Sequence, residues 1–122
     1  MEETGWRAPV AESDRTRMGL AMQLIAVTFD VPLTAMSGSR LTPKACKARY
    51  LAVYLAHVGY GWTLDRVSLA FGINRATAGS ACRWSEDARD NPVLDAALDR
   101  MEQTLRQICD TPRLELSLGG AA

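Results

Sequence analysis

Residues 63–85, TLDRVSLAFGINRATAGSACRWS, predict two short helices separated by a tight turn at Gly72. Apolar residues recur at three- to four-residue spacing in the first helix, at Leu64, Val67, Ala70 and Phe71. Gly72 supplies the turn, Ile73 is expected to fill the angle between the helices, and Asn74 is expected to cap the second helix. The pattern is that of a helix-turn-helix, which favours DNA binding over an ordinary helix pair with a glycine turn.

The second helix carries the side chains that we expect to read DNA. Arg75, Thr77 and Ser80 are predicted to point outward, and a bidentate contact of Arg75 with guanine would contribute about 1–3 kcal/mol of discrimination. Arg83, one turn on, is expected to hold a phosphate. Gly79 costs about 1 kcal/mol against alanine, so it indicates close approach of DNA, a packed helix, or simply a weak helix.

Charge is segregated along the chain, although the net charge of its 122 residues is zero. Residues 40–83 carry seven basic side chains against one acid, Asp65, a net charge of +6, whereas residues 1–39 have −2 and residues 84–122 have −4. Salt screens surface charges beyond about 8 Å, so acidic ends need not cancel a basic face. A neutral total still predicts weaker unaided DNA binding than a strongly basic protein would show, and we therefore expect a protein partner.

A basic corner precedes the helix-turn-helix. Thr42 and Pro43 form a cap followed by a proline at the first helical position, and they open a helix that Gly59 and Gly61 are expected to stop. Basic residues without acids surround its start, which we interpret as a phosphate clamp rather than as an ordinary solvated helix start. The predicted DNA-binding residues are Arg40, Lys44, Lys47, Arg49, Thr63, Asn74, Arg75, Thr77, Ser80 and Arg83.

The remaining segments also predict helices, and the fold class is therefore an all-α bundle of about five to six helices around the helix-turn-helix. Ser13 or Asp14 is expected to cap a first helix that ends near Phe29, within a helical domain of residues 12–110 that follows a flexible segment, residues 1–11. That helix is apolar on two sides. Its second stripe, formed by Leu20, Leu24, Val27 and Val31, is buried either between neighbouring helices or against another chain, which would make residues 12–29 a self-association surface.

One helical turn is predicted within residues 30–38, and Asn91 with Pro92 opens the last helix. Its apolar stripe contains Leu94, Leu98, Met101, Leu105 and Ile108. The acids Asp95, Asp99 and Glu102 are interpreted as a solvated face that repels DNA. Residues 111–122 form a C-terminal tail in which Leu114, Leu116 and Leu118 can dock.

Patterns that carry catalytic or metal chemistry are missing from the sequence. Cys46, Cys82 and Cys109 have no CxxC or Cys/His spacing, so we expect small buried side chains rather than disulfides or a metal site. The one histidine, His57, is interpreted as structural. No nucleotide-binding GxxxxGK[ST] loop and no long apolar run occur, so we expect a cytoplasmic protein at the nucleoid that is not an enzyme and has no cofactor, membrane contact or small-molecule substrate.

Three successive segments resemble the C-terminal DNA-binding domain of DnaA, the bacterial replication initiator. They are AVTFDVPLTAMSGSR (26–40), KARYLAVYLA (47–56), and TLDRVSLAFG (63–72) with NRATAGSACRWSED (74–87), and the likeness spans residues 18–105. The family signature in the turn is not kept, because only Thr77 agrees with it and Ile73, Asn74, Arg75, Ala76 and Ala78 do not. The resemblance therefore implies a Trp-repressor-like helical fold and DNA binding with a different target sequence.

The resemblance also implies a role. Small free-standing domains of this kind are typical of alphaproteobacteria, and this chain looks like the activator subunit that acts with a sigma-like factor, or with RNA polymerase, at gene-transfer-agent promoters. The alternative is an interaction protein that modulates replication by contacting the initiator. About six phosphate contacts would give log affinity a slope near −5 against log salt under the first hypothesis, and the second predicts a flat response.

Overall fold

Six α-helices joined by short links make up residues 10–110, the part of the chain that the computed structural model describes. They are α1 (Glu12–Phe29), α2 (Leu33–Ser37), α3 (Pro43–Tyr60), α4 (Leu64–Phe71), α5 (Arg75–Ala88) and α6 (Pro92–Asp110). No strand occurs in that range, and the prediction of an all-α bundle is confirmed. The predicted flexible segment, apart from its last two residues, and the predicted C-terminal tail lie outside the described residues.

Several helix ends follow the local chemistry of the sequence. Thr42 accepts a hydrogen bond from the amide of Ala45 at 3.2 Å, and Asn91 accepts from the amide of Val93 at 2.9 Å, as expected for caps. The prediction for α1 is wrong, because the helix begins after Ala11 without a side-chain cap. Asp14 is not available for capping, since its carboxylate binds Arg66 of α4.

Helix α3 forms the centre of the fold. Six consecutive residues, 51–56, are buried, which a helix achieves only when neighbours cover it on all sides. All five other helices contact it. Gly59 does not stop α3 as predicted; the helix continues to Tyr60, and Gly61 follows with a φ of 69°. Gly59 instead allows α6 to approach, because a Cβ there would lie 2.8 Å from Cδ1 of the buried Leu105.

Helix α1 is buried mainly on one side. The first apolar stripe of the sequence contains Met18, Ala21, Met22, Ile25 and Phe29. Three of these residues are fully or almost fully buried, and Met18 and Phe29 are half-buried. In the second stripe Leu20 and Leu24 are half-buried and Val31, beyond the helix, is buried, whereas Val27 is 82 % exposed. The helix is therefore not enclosed on two sides within residues 10–110.

Arg89, just after α5, joins this helix to α6. Its Nε binds Asp95 at 2.5 Å, its two Nη atoms bind Asp99 and Glu102, and Nη1 also donates to the hydroxyl of Tyr54 at 3.0 Å. Burial opposes the charge of Arg89, but the hydrogen bonds to Asp95 and Glu102 outweigh it and raise the pKa of the guanidinium. The prediction of a solvated acidic face on α6 is wrong for Glu102, which is only 9 % exposed, whereas Asp95 and Asp99 bind Arg89 with side chains that are 43 % and 56 % exposed.

None of the helices within residues 10–110 combines the length and the apolar content that crossing a lipid bilayer requires.

Candidate nucleic-acid interface

Helices α4 and α5 are joined by the short link 72–74, which leaves the start of α5 exposed. Gly72 has a φ of 68°, in the left-handed region that glycine tolerates, and the amide of Ile73 donates to the carbonyl of Ser68 at 3.0 Å. The Ile73 side chain is half-buried against the core, as expected. Asn74 caps α5 by accepting from the amide of Thr77 at 2.7 Å. The turn therefore holds the first residues of α5 at the surface.

The two faces of α5 differ in side-chain size and polarity. The inner face is small, and Ala78, Ala81 and Ser85 are fully buried. These small residues let α5 lie close to α3, where the Ser85 hydroxyl donates to the carbonyl of Tyr50 at 3.4 Å. Ser80 and Arg83 are exposed on the outer face. Thr77 differs from its predicted orientation because it is half-buried and lies seven residues, or about two turns, before Trp84 on the same flank.

Arg75 is the first residue of α5, and its side chain is 67 % exposed. Its Nη1 lies 3.4 Å from Oδ1 of Asp65, whose side chain is 73 % exposed. An ion pair between two solvated side chains contributes about 0–1 kcal/mol, so it is easily exchanged for another anion. The first turn of α5 contains no acid. The predicted outward position of Arg75 is therefore confirmed.

Arg83 lies back along the outer face of α5. Its Nη2 donates to the Ser80 hydroxyl at 3.2 Å, and its Nη1 lies 3.3 Å from the place where a Cβ on Gly79 would stand. Gly79 thus makes room for the guanidinium. The packed-helix explanation of this glycine has no support within residues 10–110, because no atom of another helix lies within 4 Å of that place.

The basic corner of α3 divides into two sides. Lys44 and Lys47 are exposed and line a cavity of about 240 Å³ together with Trp84, so they flank α5 on that side. Arg49 lies two positions beyond Lys47, which turns it about 200° around the helix axis. It is half-buried and donates to the carbonyl of Phe71 at 3.3 Å, at the end of α4. The structure therefore separates Arg49 from the predicted phosphate clamp.

The other predicted site residues, Arg40, Thr63 and Asn74, are all exposed. Arg40 is exposed in the link before α3. Thr63 and Asn74 are exposed caps, and the Thr63 hydroxyl accepts from the amide of Arg66 at 3.1 Å. Arg66, one of the seven basic residues of the central block, binds Asp14 through Nη2 at 2.8 Å and lies 4.6 Å above the ring of Trp62. The hydrogen bond from Arg66 lowers the pKa of Asp14.

Five exposed basic residues remain in the central basic block after Arg49 and Arg66 are set aside: Arg40, Lys44, Lys47, Arg75 and Arg83. Two exposed acids, Glu86 and Asp87, follow on the next turn of α5. Glu86 accepts a hydrogen bond from the Tyr54 hydroxyl at 2.7 Å. The first two turns of α5 are therefore suited to a polyanion, and its last turns are not.

The three cysteines and the histidine do not form a metal-binding cluster in the described part of the chain. Cys46 and Cys82 are half-buried and Cys109 is exposed, so the expectation of three buried cysteines is wrong for Cys109. Burial raises the pKa of Cys82 to about 11. His57 has a structural contact, as interpreted from the sequence, with Nδ1 2.6 Å from the carbonyl oxygen of Trp62. No group of three or more potential metal-ligating side chains occurs in the described part of the chain.

No protein-family model, curated protein or solved structure matches this chain. The resemblance to the DnaA domain and the function that it implies therefore stay predictions.

Proposed function

We propose that this protein binds double-stranded DNA with sequence preference through the first two turns of α5 and regulates transcription together with a protein partner. The exposed position of Arg75, directly after the Gly72 turn and the Asn74 cap, carries the proposal. A guanidinium at the start of a protruding helix can bind the O6 and N7 atoms of guanine in a major groove. Ser80, five positions further along α5, is also exposed and adds a hydroxyl.

Phosphate contacts would come from both sides of α5. Arg83 lies along its outer face, whereas Lys44 and Lys47 flank the helix beside Trp84. Lysine and arginine beside a helix position it on the duplex without reading sequence. Arg40 is close in sequence to Lys44 and extends the basic surface toward the link before α3.

The acids of α5 limit how far the helix inserts. Glu86 and Asp87 would approach phosphates if the whole helix entered the groove, and like charges repel. The Arg75 contact with Asp65 must also be exchanged for a contact with DNA. Both features lower affinity, which agrees with a protein that needs a partner such as a sigma-like factor or RNA polymerase on DNA.

Salt dependence of binding to a selected DNA sequence tests the proposal. DNA enriched from a random pool is labelled, and affinity is measured by fluorescence anisotropy between about 50 and 200 mM salt. If Arg40, Lys44, Lys47 and Arg83 contact phosphates while Arg75 contacts a base, log affinity falls against log salt with a slope of about −3.6, less steep than six phosphate contacts give. A flat response with no retention of DNA at low salt contradicts the proposal.

Single substitutions distinguish the recognition of a base by Arg75 from the binding of a phosphate by Lys47. Arg75→Ala should relax preference at one base pair, whereas Lys47→Ala should weaken all sequences alike and reduce the slope by about 1. Asp87→Asn should strengthen binding because it removes a charge next to the duplex. Arg100→Ala, at an exposed position on α6, is the control and should leave affinity unchanged.

Chromatin immunoprecipitation with sequencing distinguishes the regulator from a modulator of replication. Narrow peaks at promoters support the proposal. Signal confined to the replication origin favours the alternative, in which the protein acts through the initiator.

A further inference from the structure

An apolar cavity of about 240 Å³ opens between the end of α1, the start of α3, Trp84 of α5 and the start of α6. Its apolar lining residues are Phe29, Val31, Ala48, Leu51, Trp84 and Leu94. Pockets for drug-sized molecules measure about 300–1,000 Å³, so this space suits one or two aliphatic side chains. The cavity is open to water, and its apolar lining can receive the apolar side chains of a partner.

The surroundings of the cavity carry charges of both signs. Lys44 and Lys47 line it, and neither forms an ion pair within residues 10–110. Asp30, between the lining residues Phe29 and Val31, is exposed and also unpaired in that range. An occupant with apolar side chains, an acid and a base next to one another would match this arrangement.

The sequence contains such a segment after α6. Arg113, Leu114, Glu115 and Leu116 follow one another in residues 111–122. In an extended segment the two leucines share one side. They would enter the cavity, while the neighbouring charges stay at its mouth within reach of Asp30 and of the flexible lysine side chains.

Leu114 and Leu116 of the same molecule cannot both reach the Leu94 side of this cavity. Leu94 lies 16 residues before the end of α6 at Asp110, a distance of about 24 Å along the helix axis. The end of α6 lies beside the end of α3, where Arg106 donates to the carbonyl of Val58 at 3.1 Å. Leu114 is four residues beyond Asp110 and spans at most about 14 Å, so it cannot return to Leu94. A second copy of the chain has no such restriction.

We propose that the cavity receives residues Leu114 and Leu116 of a second copy of this chain, with Glu115 placed against Lys44 and Lys47. Two copies that exchange these segments form a closed dimer, because the contact is the same in both directions. The proposal does not depend on DNA binding, and its experiment contains no DNA.

Sedimentation velocity of the full chain over a range of concentrations tests the association. We expect a monomer–dimer equilibrium that Lys47→Glu and Glu115→Lys each weaken by about two- to fivefold, the range for an exposed charge pair. The double variant, in which the charges are exchanged, should regain most of the lost affinity. Leu116→Asp should abolish the dimer, and Arg15→Glu, an exposed position at the start of α1, is the control.

A synthetic peptide of residues 111–122 provides the second measurement. Added to the full chain, it should dissociate the dimer and shift the NMR signals of Ala48 and of the Trp84 indole, which line the cavity. Circular dichroism spectra confirm that each variant is folded. The proposal is overturned if the chain stays monomeric and its NMR signals do not shift when the peptide is added. A dimer that is indifferent to the tail variants also overturns it, as does a cavity that binds an acidic segment of another protein but not this peptide.

Discussion

Replacement of Gly79 by alanine should stabilise the protein, whereas the same replacement at Gly59 should not. Alanine is favoured over glycine in a helix interior by about 0.5–1 kcal/mol. At Gly79 the added Cβ meets only Nη1 of Arg83 at 3.3 Å, the end of a flexible, exposed side chain that can move away. We therefore expect Gly79→Ala to raise the free energy of unfolding by about 0.5–1 kcal/mol and the melting temperature by about 2–5 °C.

Gly59 is the matched position, because it also lies inside a helix. There the Cβ meets Cδ1 of Leu105 at 2.8 Å and its Cβ at 3.4 Å, and Leu105 is fully buried. Overpacking of a core costs about 1–3 kcal/mol, which cancels or exceeds the gain in helix propensity. Gly59→Ala should therefore be less stable than Gly79→Ala by at least about 1 kcal/mol.

Urea unfolding followed by far-ultraviolet circular dichroism measures both variants against the wild type. Equal stability of the two variants, or a loss of stability in Gly79→Ala, would refute this explanation of the two glycines. The same Gly79→Ala protein also tests close approach of DNA. If the duplex needs the space above Gly79, the variant binds selected DNA more weakly although it is more stable.

Three further predictions concern the ion pairs and the tyrosines. Arg89→Met should lower the free energy of unfolding by about 1–3 kcal/mol because it leaves the buried Glu102 with only Arg106, at 3.5 Å, as an ion-pair partner, whereas Arg100→Met should change it by less than about 0.5 kcal/mol in the same urea experiment. Arg66 lowers the pKa of Asp14, so the stability that this ion pair contributes is present above the unfolded pKa of about 3.9 and is lost as the pH falls through the lower folded pKa. The Asp14→Asn variant should therefore be less stable than wild type at neutral pH and equally stable in strong acid. A stability difference that does not change with pH would contradict this prediction. Burial raises the pKa values of Tyr54 and Tyr60 to about 12, so these two tyrosines should ionise near pH 12 in a spectrophotometric titration and Tyr54→Phe should leave one; the absence of any tyrosine ionisation near pH 12 would contradict it.

Features that depend on neighbours in sequence could be predicted from the sequence. The Asn74 cap, the Gly72 turn and the proline at the start of α3 each act over three or four residues, and the structure places all of them as expected. Apolar periodicity likewise identified most buried positions of α4 and α6. Leu64 and Leu94 are only half-buried, Ile108 is 53 % exposed, and the buried Ser68 was not predicted.

Features that depend on distant partners could not be predicted. Arg49 looks like the neighbouring lysines in sequence, yet its partner Phe71 lies 22 residues away. Arg66 binds Asp14 across 52 residues. The acids of α6 repeat at helical spacing, which is also the spacing of a solvated face. Only the position of Arg89 shows that they bind the guanidinium of a residue outside α6. A count of basic residues in the sequence thus overstated the positive surface by two side chains.

The junction around Arg89 has an uneven tolerance to mutation. One guanidinium serves carboxylates from three successive turns of α6, and so the loss of any single acid leaves it with two others. Loss of the arginine removes an ion-pair partner from all three acids at once. In a library of single substitutions selected for folding, position 89 should accept almost nothing, while positions 95 and 99 should drift freely.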